Sequence, residues 1–205
     1  MGGERFGIQN KAIFPTPTIG GIGLIKNLDF MMTKDLKEIG SYLLVVGKTS
    51  GHLYQSEFFR EVVGIKDGPP PEVNLFNEKN NGLTIQDLIS NKLVNSVHDI
   101  SSGGMLVALS EMCIAGKIGA KIKIPKKNIN PHEYLFGEDQ SRYIIEVNEK
   151  NKKKVCDILK KNSVYYEIIG KTQKDSLDLE KEFNIKLSEL RKVNSFWFRN
   201  YFEEA

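Results

Sequence analysis

Cysteine is scarce: the 205 residues hold two, Cys113 and Cys156, far apart and outside any Cys-x-x-Cys spacing. That scarcity argues against a disulfide framework and against a cysteine-built zinc site. Cys113 falls on the apolar side of a helical pattern and reads as a buried, reduced thiol. No stretch approaches the ~18 apolar residues of a membrane span, and the layout of a signal peptide is missing. No membrane is therefore expected as a partner, and a reducing cytoplasm is the expected location. A concentrated basic face is missing too, since 29 Lys and Arg against 26 Asp and Glu leave a net charge of only +3. Nucleic acid is accordingly not expected as a partner. The densest basic run, Lys150, Lys152, Lys153 and Lys154, is followed by Val155, Ile158 and Leu159 at helical spacing. It reads as the solvated start of an amphipathic helix. Also lacking are a nucleophile elbow, a Walker loop, a dinucleotide fingerprint and any defensible Ser-His-Asp spacing.

With 40% hydrophobic and 27% charged residues, the chain has the make-up of a globular domain with a real core. Its glycine-rich first residues, 1–14, are expected to be a flexible or truncated end, and 15–205 a single domain. Strands are predicted at 18–25, Tyr42–Val46, 94–97, 120–124, 142–147 and 166–170. Helices are predicted at 56–63, 83–91, 104–115 and 149–162, and an amphipathic segment containing Trp197 at 187–202. Pro69, Pro70 and Pro71 after Asp67-Gly68 mark a stop, and the region before Tyr134 reads as a polar loop. Alternation of strand and helix throughout makes an α/β or layered α+β domain the natural class.

Three polar clusters interrupt the core pattern. In the first, His98, Asp99, Ser101 and Ser102 precede Gly103-Gly104 and an apolar helix. Free N–H groups and the positive end of the helix dipole meet there, so this turn can hold an anion such as phosphate. It can equally be a strand-to-helix connection with Asp99 or a serine as N-cap and His98 hydrogen-bonded structurally. The second cluster, Glu138, Asp139, Gln140, Ser141 and Arg142, is a solvated turn or a site for a phosphorylated, hydroxyl-rich ligand, with Arg142 for phosphate and Gln140 and Glu138 for hydroxyl or amide groups. In the third, Gly51 to Glu57, Ser56 can cap a helix while His52 and Tyr54 cover an edge. Residue chemistry reaches as far as an anion-binding α/β domain for a phosphorylated metabolite.

Five stretches taken in order are more specific. They are Pro15-Thr16-Pro17-Thr18-Ile19-Gly20-Gly21-Ile22-Gly23-Leu24, Gly51-His52-Leu53-x-Gln55-Ser56, Asp67-Gly68-Pro69-Pro70-Pro71-x-Val73-x-Leu75, His98-Asp99-Ile100-Ser101-x-Gly103-Gly104 and Gly137-Glu138-x-Gln140-Ser141-Arg142. The set resembles the C-terminal part of the bacterial phosphoribosylformylglycinamidine synthase family, within the aminoimidazole ribonucleotide synthetase superfamily. The resemblance implies a mixed sheet covered by helices. It also implies an ATP-dependent ligase reaction of purine biosynthesis, with magnesium beside the nucleotide. An amide oxygen is activated by phosphoryl transfer and displaced by ammonia from a glutaminase. The implied partners are the N-terminal synthetase domains of the same protein, the glutaminase, and small accessory subunits.

The resemblance also implies what this chain lacks. The family's catalytic histidine, ATP lysine and main magnesium carboxylates lie upstream, so no catalytic or metal residue is expected here and the segment is expected to be inactive alone. Asp99, Ser101, Ser102, Gly103, Gly104, Glu138, Gln140, Ser141, Arg142, His52, Gln55 and Ser56 are the candidates for phosphate, nucleotide or substrate contact, in the second copy of a duplicated site. Ser102 stands where the family usually has Asp, and Tyr54 where it usually has glycine. A non-catalytic nucleotide-binding or assembly module, or a domain of another superfamily member such as a small-molecule kinase, are the alternatives.

Overall fold

Tyr42–Val46 is apolar at every position, so both faces of this strand need cover, and the fold grows outward from it. In the computed structural model, which describes residues 18–25, 27–124 and 129–203 with the side chains of Trp197, Arg199 and Glu203 outside that set, this segment is β1. The remaining strands are β2 (Ser96–Asp99), β3 (Gly119–Ile122), β4 (Tyr143–Val147), β5 (Tyr166–Gln173), β6 (Ser176–Leu179) and β7 (Phe183–Lys186). They form one seven-stranded sheet in the order β2-β4-β1-β5-β3-β6-β7. Every pairing is antiparallel except β3 with β6.

Alternation along β1 divides the core in two. Leu43 and Val45 join Ile144, Ile169 and Ala120 beneath α2 (Gly104–Gly116), α3 (Pro131–Phe136) and the start of α5 (Leu187–Glu203). Leu44 and Val46 join Ile145 and Val147 beneath α1 (Leu75–Ser90) and α4 (Glu149–Lys161). The expected layered α/β class with a mixed, helix-covered sheet is what forms. On β4, Glu146 is fully buried and its carboxylate accepts Lys37 N–H (2.8 Å), Glu38 N–H (2.9 Å) and the Ser96 hydroxyl (3.1 Å). It staples the segment before β1 onto the sheet.

Several boundaries differ from the sequence reading. Residues 18–25 form no strand; they are exposed, with Ile22 at 105% and Leu24 at 90% of full exposure, and among the described residues no strand pairs with them. The expectations for residues 1–14 and for Pro15-Thr16-Pro17 lie outside the described residues. Helix α1 begins eight residues earlier than predicted because the Asn74 carboxamide caps it, accepting Asn77 N–H at 3.0 Å. The loop before Tyr134 contains α3, set up by Pro131 and a capping box in which Asn130 and Glu133 exchange bonds. The predicted helix at 56–63 is a π-helical turn, Phe58–Val63. The β6–β7 hairpin was not predicted. Lys150–Lys154 open α4 behind an Asn148 cap, as an amphipathic helix should.

Candidate functional site

The glycine turn after β2 does lead into a helix N-terminus, but with a resident anion. Gly103 caps α2 with φ +83° and no side-chain cap, so neither Asp99 nor a serine plays that part. A Cβ on Gly103 would lie 2.6 Å from the Val107 side chain, and one on Gly104 (φ +72°) 2.6 Å from the Phe136 backbone. Both glycines are therefore required by packing as well as by dihedral angle. The Gly103 N–H donates to Glu138 Oε1 at 2.8 Å, and the same oxygen accepts the Glu57 N–H at 2.8 Å. One carboxylate thus occupies the anion position at the helix terminus and ties it to the third cluster.

Asp139 does the same one residue later. Its Oδ2 accepts Ser50 N–H (3.0 Å) and Gly51 N–H (2.9 Å), and its Oδ1 accepts His52 N–H (3.2 Å). The Glu138 N–H returns a bond to the His52 carbonyl at 2.9 Å. Arg142, 1% exposed, lies beneath this turn. Its Nε donates to the Asp139 carbonyl (3.1 Å), its Nη1 to Thr49 Oγ1 (3.3 Å), and its Nη2 to the Gly137 carbonyl. Burial pulls the guanidinium pKa down and Asp139, 3.9 Å away, opposes the shift. Arg142 therefore braces the turn from inside rather than reaching out to a phosphate. The three clusters, separate in sequence, form one interlocked unit. Phe58 adds to it by stacking on Phe136 (4.7 Å between centroids) and on His132 (5.7 Å).

An open cavity of about 630 Å³ adjoins this unit. His52, Asp139, Gln140 and Ser141 line it together with Asn74, Asn77 and Asn81 of the α1 start, and Lys48, Tyr54, Phe59, Glu72 and Glu133 complete the wall. Ser141 sits at φ +60°, and its carbonyl and hydroxyl accept the Asn81 side-chain amide at 2.9 and 3.1 Å. His52 and Gln55 hold the loop that borders the cavity: His52 Nε2 lies 3.0 Å from the Pro69 carbonyl, and Gln55 Nε2 donates to the Gly68 carbonyl at 2.9 Å. Tyr54 packs over Gly68, where a Cβ would fall 2.2 Å from its ring. Ser56 is buried, and its hydroxyl accepts Phe59 N–H at 3.2 Å, so it starts the π-helical turn.

The remaining candidates stand apart. Asp99, Ser101 and Ser102 are exposed and do not line the cavity. Asp99 meets His98 Nδ1 at 3.2 Å, and His98 Nε2 meets Glu111 Oε2 at 3.0 Å. Lys34, and secondarily His98, hold the Glu111 carboxyl below the usual carboxylate range. Among the described residues no three His, Cys, Asp or Glu side chains are grouped to hold a metal ion. The asparagine wall was overlooked in the sequence, although Asn74, Asn77 and Asn81 share one helical face by spacing.

The family described as AIR synthase related protein, C-terminal domain, matches residues 38–180, which span the interlocked unit and the cavity. The chain belongs to this family. A curated relative from Pelagibacter ubique (strain HTCC1062), phosphoribosylformylglycinamidine synthase subunit PurL, is 50% identical over 191 residues, 93% of this chain and 26% of the relative. The chain thus spans about a quarter of the length of the curated relatives it matches. Among solved structures, Thermotoga maritima PurL complexed with FGAR superposes with a TM-score of 0.65 at 18% identity, covering 80% of this chain and 30% of that one. The same protein complexed with ATP gives 0.61 at 18% identity, covering 80% and 27%. The PurLQS structure from that organism gives 0.61 at 17%, covering 80% and 28%. At these identities the structural likeness establishes the fold.

Proposed function

We propose that this chain is the C-terminal segment of a phosphoribosylformylglycinamidine synthase, with 15–205 as its domain. The 50% identity to the Pelagibacter ubique relative along nearly the whole chain carries the reading. The complete enzyme is then a cytoplasmic ligase. It uses ATP to activate the amide oxygen of formylglycinamide ribonucleotide and ammonia from a glutaminase to displace it. In this segment the binding candidates are Gln140, Ser141 and His52, which reach the cavity. Glu138, Asp139, Arg142, Ser56, Gly103 and Gly104 hold its frame, and Asp99, Ser101 and Ser102 stand outside it. ATP fits as a cavity ligand, since carboxamides and aromatic edges line the wall; held here, it would sit apart from the phosphoryl transfer assigned to the upstream domains. Among the described residues no three His, Cys, Asp or Glu side chains are grouped to hold a metal ion, so magnesium is proposed for the complete enzyme and no residue of this segment is proposed as a ligand for it.

A non-catalytic role for the segment has its own support. The backbone N–H groups of Gly103 and of 50–52, the natural places for a phosphate, are engaged by Glu138 and Asp139. Exposed apolar side chains at Ile19, Ile22, Leu24 and Leu28, and at Val193, Phe196, Tyr201 and Phe202 of α5, suit burial against the N-terminal synthetase domains of the same protein. The PurLQS assembly supports accessory and glutaminase subunits as further partners. The chain incubated with formylglycinamide ribonucleotide, ATP, magnesium and ammonium is expected to form no amidine. Turnover by the isolated chain refutes the assignment of catalysis to the missing part.

A further inference from the structure

The near-neutral total charge conceals an uneven distribution. Helix α4 carries six lysines, Lys150, Lys152, Lys153, Lys154, Lys160 and Lys161, against two acids, Glu149 and Asp157, a net of +4 over 13 residues. Taking these from the chain's 29 Lys and Arg and 26 Asp and Glu leaves 23 against 24, so the rest of the protein nets −1. All of the positive excess therefore stands on one helix. Val155 and Leu159 bury its inner face, and every one of the lysines except the partly buried Lys152 is exposed. Among the described residues none of the six makes an ion pair. Lys152 lies instead over the Tyr42 ring, 3.9 Å from its centroid, and Lys171 lies 4.0 Å from the same centroid. Lys150, Lys153, Lys154 and Lys161 border a shallow cleft of about 400 Å³ together with Asp157 and the partly exposed Ile158. Lys150 stands one turn from both Lys153 and Lys154, a like-charge spacing that disfavours the helix until an outside carboxylate relieves it.

We propose that the outer face of α4 docks an acidic helix of a partner protein, with carboxylates set against Lys150, Lys153, Lys154 and Lys161 and an apolar side chain against Ile158. Charge complementarity selects this occupant. Nucleic acid is a poorer match, because α4 has neither an arginine fork for phosphate nor an aromatic residue for base stacking, and Tyr42 already carries two ammonium groups over its ring. The helix N-terminus, where a phosphate would sit, is capped by Asn148 and carries Glu149. An anionic membrane requires an apolar face to insert, and that of α4 is buried in the core beneath it. A second copy of the chain brings no acidic counterpart of comparable density, since everything outside α4 nets only −1. Such docking requires neither a nucleotide in the cavity nor the reaction proposed above.

The test is a titration of the isotope-labelled chain at low salt with a helical peptide of about 20 residues built from Glu, Ala and Leu, with an oligouridylate, and with vesicles containing phosphatidylserine. The peptide is expected to saturate, to move the backbone amide signals of α4, and to weaken about tenfold when salt is raised from about 0.05 to about 0.3 M. Lys150→Gln, Lys153→Gln, Lys154→Gln and Lys161→Gln combined should weaken the peptide by about tenfold or more at an unchanged melting temperature, and the four corresponding Arg replacements should bind it as wild type does. No saturation by the peptide, or unchanged binding by the Gln variant, overturns the inference. Oligouridylate or vesicles saturating at α4 as tightly as the peptide also overturns it, in favour of a nucleic-acid or a membrane surface.

Discussion

Vacating the anion position at the start of α2 should cost stability and create a small-anion site. In Glu138→Ala the N–H groups of Gly103 and Glu57 lose a shared carboxylate oxygen held at 2.8 Å from each. Leaving a buried donor unsatisfied costs about 1–3 kcal/mol, and the half-buried position lets water recover part of it. A loss of about 3 kcal/mol is expected, which for a chain of this size lowers the melting temperature by roughly 6–12 °C. Glu138→Gln keeps a carbonyl acceptor and forfeits only the charge, so it should lose about half as much. Thermal melts in increasing sodium acetate or formate separate this from simple truncation: the alanine variant should recover in a saturable way, and wild type should not. Equal stability of wild type and alanine variant, or no recovery with either anion, refutes the view that Glu138 is the resident anion of this turn.

Arg142→Leu removes the brace beneath the 137–141 turn and leaves the Asp139 and Gly137 carbonyls and Thr49 without their buried donor, so a loss of about 3 kcal/mol in urea unfolding is expected. Gly104→Ala should be worse than Gly103→Ala, because its Cβ meets the Phe136 backbone at 2.6 Å whereas that of Gly103 meets a side chain; soluble yield and melting temperature give the order. Burial pushes the Cys113 thiol from its ordinary value of 9.0 up to about 12. The unfolded chain therefore loses this proton first, and the thiol's contribution to stability, complete below pH 9, falls by about 1.4 kcal/mol per pH unit between 9 and 12. Cys113→Ala should flatten that decline, and in the native protein at pH 8 a thiol reagent should label Cys156 well ahead of the buried Cys113.

Elements whose apolar residues are locally dense were legible in advance: β1, β4, α2 and α4 lie within a residue or so of their predicted places. Those that depend on partners elsewhere were not. The first half of α1 has no apolar period, its one buried side chain there being Asn81, and it stands through capping and contacts with Ser141. The β6–β7 hairpin is four polar-spaced residues on each arm, and β3 completes it by pairing with β6. Residues 18–25 have strand-like composition but no sheet edge to pair with among the described residues. At the site, the motifs marked the right loops, yet the roles within them depended on direction. Arg142 turns inward and Glu138 reaches across to two other loops, and spacing along the chain says nothing of either.

As one working part of the proposed amidine-forming ligase, this chain should restore activity by complementation between separate polypeptides, and that experiment tests the assignment most directly. The Pelagibacter ubique relative, shortened by the region that this chain matches, is assayed for ATP- and ammonia-dependent amidine formation with and without the chain added. No turnover is expected from either piece, and turnover, saturating with added chain, when both are present. Full activity of the shortened relative without the chain, or amidine formation by the chain with no partner, contradicts it.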